Sequence, residues 1–514
     1  MMLYVRSMSA AASIRLSKSK FVAGVQCLKR LYLQVHQPEL AGEIDEGQAI
    51  RFEQVHEVGV LAHAAFPGGV LVDSDVFHLE AALERTAALI DDAAVPAIFE
   101  ATFPRSGVLV RVDILERRRK NQWRLIEVKS SVETKEHYDY DVAIQHHVVQ
   151  GCGLDISSAC VMHLNRDYVY DGRSYDAHKL FIIEDLTRRV LDLGSELPKL
   201  LRAQRRALAQ AEPPDVEPGP QCRDPYECEF FDHCNPALPK THISFLPRLS
   251  EKKRTVLLDL GVNLIEQIPD DFPLTEIQAR VCTAVKTGQP WTSGTLAKEL
   301  SRLKYPLYFM DFESLHPAIP RYAGMRPYSH IPFQWSVHRQ LEPDAAPEHF
   351  EFLADDDRDP RREFAISLCE ALGKRGPIIA YNAAFESQRL QDLAGWLPEY
   401  AGAIAKVQER LWDLWPFVKR HIYHPQFQGS FSLKTVLPAL VPGLSYEGMA
   451  VAHGDEAGLA WDRMIRSGVD VSERQRLKSA LLAYCGQDTL AMVKILDRLR
   501  KFTLRTEASA TPGT

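Results

Sequence analysis

The sequence predicts an α/β protein of more than one domain. Three observations lead there. Segments that alternate apolar and polar residues are interleaved with segments of helical periodicity, the pattern of sheets covered by helices. The chain has 514 residues, more than one hydrophobic core usually organises at about 150 residues per domain. Two composition breaks divide it: the Pro-rich stretch 213–220 (PPDVEPGP), followed by a Cys-rich loop, and the region near Gln289-Pro290.

Composition narrows the class. Hydrophobic residues at 46% and charged residues at 25% describe an ordinary folded chain and exclude a collagen, a coiled-coil rod or a disordered tract. No run of about 18 apolar residues occurs, so no membrane span is expected. The start, MMLYVRSMSAAASIRLSKSK, holds too short an apolar stretch for a secretory signal; Met8 is an alternative start and a cytoplasmic location is expected. The net charge of −7 neither favours nor excludes a nucleic-acid partner, because phosphate binding depends on local patches. Nine cysteines, an odd number without signs of secretion, argue against a disulfide framework.

The first segment, 16–240, mixes both element types. Residues 81–92 (AALERTAALIDD) read as a helix. Residues 107–115 and 123–128 read as strands joined by the polar turn ERRRKNQ, and 182–211 reads as one long helix with a basic end. In GVLVRVDILER, Val108, Val110, Val112 and Ile114 alternate with Arg111 and Asp113, so Asp113 faces away from them. Glu127 and Lys129, two apart in WRLIEVKSS, share a face. In a hairpin, Asp113 and Glu127 can converge on one Mg2+ or Mn2+, with Lys129 beside them to orient water or offset phosphate charge. Such a face can equally carry solvated cross-strand ion pairs. His63 is a candidate further ligand on a preceding helix, and Gln145 lies on a following one.

The cysteines are a stronger signal. Cys222, Cys228 and Cys234 form C-x5-C-x5-C, and Cys27 stands alone upstream as the fourth thiol. Four thiolates suit an iron–sulfur cluster or Zn2+; one distant Cys with three clustered ones leans to [4Fe–4S]. Zinc, with His233 in place of Cys27, is the alternative. Cys152, Cys160, Cys282, Cys369 and Cys485 read as reduced core residues.

Together these features resemble the RecB-like PD-(D/E)XK nucleases, in their iron–sulfur branch, over about residues 16–238. The resemblance implies a restriction-endonuclease-like fold, catalytic Asp113, Glu127 and Lys129, a metal ligand in His63, and a structural cluster joining the two ends of the domain. Val149 stands where the family often has Tyr after the Gln motif.

The third segment, 305–503, alternates strand and helix patterns. Asp311 and Glu313 share a face of the strand PLYFMDF, Asn382 and Glu386 follow the strand PIIAY, and Tyr484 and Asp488 lie on one face of a late helix. Converged, the four carboxylates could hold two divalent cations about 4 Å apart, with Tyr484 orienting the attacking water. This combination resembles the DnaQ-like, RNase H-fold 3′–5′ exonucleases of the DEDD class, in their Tyr-containing subclass. It implies Asp311, Glu313, Glu386 and Asp488 as ligands and single-stranded ends as substrate; Glu386 stands where the family usually has Asp. The segment also resembles an uncharacterised bacterial domain family found behind RecB-like domains. Ser430 or Ser432 reads as a helix cap, Lys434 as a capped-helix residue or phosphate contact, and Asp413 as a secondary candidate.

Between them, 241–304 reads as a helical connector. Gly261-Val262-Asn263 forms a turn, near Lys252, Lys253 and Arg254, in the manner of a helix-hairpin-helix. Residues 504–514 read as a disordered tail. The reading is therefore a metal-dependent exonuclease with two nuclease modules, acting on DNA rather than RNA in repair or defence, with no membrane and no protein partner assigned. The rivals are a nucleic-acid-binding scaffold with inactive sites and an RNA-directed exonuclease.

Overall fold

The structure, a computed structural model, describes residues 16–42, 46–73, 78–119, 122–235 and 238–509, with the backbone alone at 46–53 and 504–509. The N-terminal stretch with Met8 lies outside the described residues. The chain is α/β and divides into two compact units, Met1–Ala237 with Pro317–Ser329 and Leu238–His316 with His330–Thr514. No helix among the described residues is long and apolar enough to cross a membrane.

The first unit is built on a seven-stranded sheet: β1 (Leu16–Ser17), β2 (Val70–Leu71), β3 (Ala97–Arg105), β4 (Val108–Arg117), β5 (Gln122–Lys129), β6 (Asp155–Leu164) and β7 (Phe181–Asp185). The order is β2-β3-β4-β5-β6-β7. β4 and β5 form the expected antiparallel hairpin, with Ile114 opposite Ile126. β5 and β6 are parallel, joined by a crossover through the helix Tyr138–Gly151. Where β5 no longer lines β4, β1 takes its place in parallel, pairing Leu16 with Val108 and leading into the helix Lys18–Gln26.

Two expectations change here. Val108, Val110 and Val112 enter one core cluster, but Ile114 enters the cluster on the other face. The partner strand switches at the same level: Phe99 packs in one cluster, Ala101 and Phe103 in the other. Glu100, between them, has a left-handed φ of 58°, which turns the pleat over and ends strict alternation. Residues 182–211 are not one helix. Ile182 and Ile183 pair with β6, and two helices, Thr187–Leu193 and Leu197–Leu208, follow with Gly194 and Pro198 at the break. Pro317–Ser329 belongs to this unit through Ala318 and Ile319 in its core and Tyr170 N donating to Met325 O at 2.9 Å.

The second unit carries a five-stranded sheet of β9 (Leu307–Leu315), β10 (Ile331–Gln340), β11 (Glu348–Leu353), β12 (Ile378–Ala380) and β13 (Leu411–Asp413), in the order β11-β10-β9-β12-β13. β10 is antiparallel to both neighbours; β9, β12 and β13 are parallel. A separate pair, β8 (Trp291–Thr292) with β14 (Ile422–Tyr423), ties residues before β9 to this unit. β9 alternates strictly. Tyr308, Met310 and Phe312 pack with Phe364 and Leu368 of the helix Arg361–Ala371, leaving Asp311 and Glu313 on the other face. The helices Gly454–Ile465 and Val471–Ser509 pack on β9. After Gly261 (φ 75°) comes an extended residue and a three-residue 3-10 turn, Ile265–Gln267, so the second helix of the expected hairpin motif does not follow the turn. The last helix continues to Ser509, so the stretch expected to be disordered from 504 begins as helix; 510–514 lie outside the described residues.

Candidate functional site

In the first unit, β4 and β5 bring Asp113 and Glu127 together as the hairpin register requires. Asp113 Oδ2 accepts from Val128 N at 2.7 Å. Glu127, 2% exposed, accepts from Lys129 Nζ at 2.9 Å and from Gln145 Nε2 at 2.7 Å. Gln145, on the crossover helix, therefore reaches the carboxylate directly. Three residues that sequence reasoning did not single out complete the group. Lys18, first in its helix, lies 2.7 and 2.8 Å from the Glu127 oxygens and 3.8 Å from Asp113 Oδ1. Asp141 holds Lys129 at 2.5 Å. Glu100 takes the position across β3 from Asp113 and interacts with the charges of Lys18 and Glu127.

Burial and the charge of Glu127 raise the Asp113 carboxyl to about 7, against the pull of Lys18. For Glu127 burial pulls upward, yet Lys129 and Lys18 prevail and hold it well below the usual carboxylate range. Lys129 is raised, since Glu127 and Asp141 outweigh its burial. One oxygen-rich site thus sets an acid held low by two ammonium groups beside a second acid whose carboxyl is raised. His63, at the end of the helix Glu46–His63, stacks its ring on Phe99, the residue before Glu100, with centroids 3.9 Å apart. His56, earlier on the same helix Glu46–His63, is the histidine whose charge bears on Glu100.

All four predicted cluster cysteines line one pocket of this unit, with Lys29, Arg30 and Phe230. Cys27 ends the helix Lys18–Gln26 and caps the helix Leu28–His36, its Sγ accepting from Arg30 N at 3.5 Å. A small apolar core of Tyr32, Leu33, Cys228 and Phe230 underlies the pocket. Protein contacts alone already join the two chain regions: Arg30 pairs with Glu229 at 2.8 Å, and Gln26 Nε2 donates to Gln221 O and Tyr226 O at 2.7 and 2.6 Å. Burial raises the Cys228 thiol to about 11 and pushes Cys234 upward as well.

In the second unit, Asp311, Glu313, Glu386, Tyr484 and Asp488 line a single pocket with His330 and Asp455. Asp311 and Glu313 come from β9, Glu386 from the first turn of the helix Ala384–Trp396, and Tyr484 and Asp488 from the last helix. Asn382 (φ 68°) makes the turn that starts the Glu386 helix, its N donating to Asp413 Oδ1 at 3.0 Å. Asp413 is thereby a structural cap, as it also accepts from Trp415 N. Ser432 caps the helix Leu433–Leu440 as expected, while Lys434 turns to Ala452 O and lies 5.5 Å from the Tyr484 ring centre.

These carboxylates resist ionising together. Burial and the Asp488 charge push Asp311 and Glu313 far above the ordinary range. Burial raises Glu386 to about 8, with Asp413 adding to it, and raises Asp488 to about 6 despite hydrogen bonds from Tyr446 and Tyr484. Glu386, 2% exposed, leaves Oε2 without a partner. A buried acid set of this kind is matched by divalent cations, which remove the repulsion. Among the described residues, one set of three His, Cys, Asp or Glu side chains brings ligand atoms within 4.8 Å of one another: Asp311, Glu313 and Cys485. Cys485 is buried, as its sequence pattern predicts, and nothing in that pattern singles it out. Tyr446, whose hydroxyl donates to Asp488, also has no sequence signal.

Residues 308–432 match the model of a family described as a domain of unknown function (DUF2779). No curated protein and no solved structure matches the chain.

Proposed function

We propose that the chain is a metal-dependent exonuclease with two phosphodiester-hydrolysing sites, acting on DNA ends in repair or defence. The observation that carries this reading is the second unit's pocket. Carboxylates from three distant stretches of chain meet there with a tyrosine and a partnerless buried oxygen. Numbered in chain order, its sheet runs 3-2-1-4-5 with the second strand antiparallel, an arrangement that supports an RNase H-like domain. The hairpin carrying Asp113, Glu127 and Lys129, followed by a parallel crossover bearing Gln145, supports a PD-(D/E)XK domain in the first unit.

Asp311, Glu313, Glu386 and Asp488 would hold Mg2+ or Mn2+ in the second unit, and Asp113 and Glu127 in the first. Such an ion supplies Lewis-acid polarisation of the phosphate and a lowered pKa for water. Tyr484, hydrogen-bonded to Asp488, holds the attacking water by its hydroxyl. Lys129, clamped between Glu127 and Asp141, offsets charge on the phosphate and aims water at it.

The four cysteines that line one pocket would hold a [4Fe–4S] cluster on this reading, with zinc as the alternative. Protein purified without air should carry iron and visible colour; colourless protein with zinc and no iron would overturn the assignment.

The nuclease reading is tested with single-stranded DNA and matched RNA labelled at either end, incubated with Mn2+ and wild type, Asp113→Ala or Asp311→Ala protein. Loss of 3′-to-5′ trimming in Asp311→Ala alone is expected. Equal trimming by all three proteins would place the activity elsewhere.

A further inference from the structure

We propose that Cys485 joins Asp311 and Glu313 as a ligand. On this assignment the second unit's site holds a mixed carboxylate–thiolate position that prefers a thiophilic divalent cation, of the Zn2+ and Co2+ class, to Mg2+. This rests on the metal-dependent reading of that pocket and sharpens which metal one position takes.

Three observations meet here. The ligand atoms of Asp311, Glu313 and Cys485 all lie within 4.8 Å of one another. The fully buried Cys485 does not point its sulfur only into apolar surroundings: Sγ donates to Asp311 Oδ2 at 3.6 Å and approaches Asp311 O at 3.8 Å. Independently, Glu386 lines the pocket that Asp311 and Glu313 line, with a buried Oε2 that has no protein partner and is open to a cation; Cys485 reaches that pair from behind the pocket wall, through Asp311. Helical spacing explains how Cys485 gets there. It sits three residues before Asp488 on the helix Val471–Ser509, so both look toward β9.

Sulfur changes the selectivity. Oxygen-only sites suit Mg2+ and Mn2+, whereas thiolate shifts preference toward softer ions. On coordination the Cys485 S–H bond breaks, a sulfur–metal bond forms and the proton passes to solvent, with no change of oxidation state.

The test adds Co2+ to the full-length protein and records near-ultraviolet thiolate-to-cobalt absorption for wild type, Cys485→Ser and Asp311→Asn. The four-cysteine pocket is the same in all three, so difference spectra isolate the second unit. The expected result is a band absent from both variants. Co2+ affinity in Cys485→Ser should fall about 10- to 100-fold, with Mg2+ affinity unchanged. Cys485→Ala is read the same way, and far-ultraviolet circular dichroism confirms that each variant is folded. Identical Co2+ spectra and affinity in wild type and the Cys485 variants, with binding lost in Asp311→Asn, would overturn the thiolate ligand and leave an oxygen-only metal site. Co2+ spectra and binding stoichiometry in Asp311→Asn identical to wild type would overturn the metal-site reading itself.

Discussion

At the scale of single residues, Lys18 makes a specific claim. Its ammonium lies against both Asp113 and Glu127, the place a divalent cation would take. A single and a double positive charge about 4 Å apart repel by roughly 8 kcal/mol at an effective dielectric near 20. The lysine can swing away, so Lys18→Met should tighten Mn2+ at the first site by about tenfold, ~1.4 kcal/mol. Titration calorimetry in an Asp311→Asn background reads it; unchanged affinity would mean that Lys18 does not compete. The second unit's acids predict a pH effect. The folded-state values of Asp488, about 6, and Glu386, about 8, lie above the unfolded ones. Their contribution is therefore complete below about pH 4 and is lost as pH rises through 6 and then 8. Without metal, thermal stability should fall from pH 5 to pH 8.5, and Mg2+ or Mn2+ should restore more of it at pH 8.5. A flat profile in chelator would contradict the buried acid set. These residues also mark how far sequence reading reaches. Asp113, Glu127 and Lys129 were legible because strand alternation fixes neighbours two apart and a short turn pairs two strands. Lys18 is 109 residues from Glu127, and Cys485 is 174 from Asp311. No local pattern encodes contacts at such separations.

At the scale of elements, the helix Lys18–Gln26 links two features. Its first residue enters the acid site and the residue after its end, Cys27, lines the cysteine pocket. On the proposed cluster assignment, removing the thiol ligands should loosen this helix and its neighbour Leu28–His36. Cys222→Ser is expected to lower the first thermal transition by about 5–10 °C, a few kcal/mol for a unit of this size. It should also expose the chain near Arg30 to protease. An unchanged melting curve would separate the pocket from the unit's stability. The elements misread from sequence share a cause. Ile182 and Ile183 sit in a stretch whose helical content outweighs its short strand, and pairing with β6 decides the matter through tertiary contact. The left-handed Glu100 changes the face taken along β3, and Ile114 of the paired strand changes face at the same level, which hydrophobic pattern alone does not report. His63 lies on the expected helix, but the residues that position it, Phe99 above all, come from a strand distant in sequence.

At the scale of the molecule, the net charge of −7 does not oppose a nucleic-acid substrate, since binding to phosphates depends on local patches rather than on the sum. Each unit has its own core and its own candidate site, so the two proposed activities should be separable and their losses additive. The alternation of elements made the α/β class legible from sequence, and the spacing of acids made both sites legible. The segment Pro317–Ser329, which leaves the β9–β10 hairpin to join the first unit's core, was not, because chain order and spatial membership diverge there. The most direct test of the central claim is the degradation of end-labelled single-stranded DNA by the Asp113→Ala, Asp311→Ala double variant beside wild type, with Mn2+ and with chelator. Wild type should degrade the strand only with metal, and the double variant should leave it intact, at least about 100-fold slower. Degradation by the double variant at the wild-type rate, or intact DNA with wild type and metal, would contradict a two-site metal-dependent nuclease.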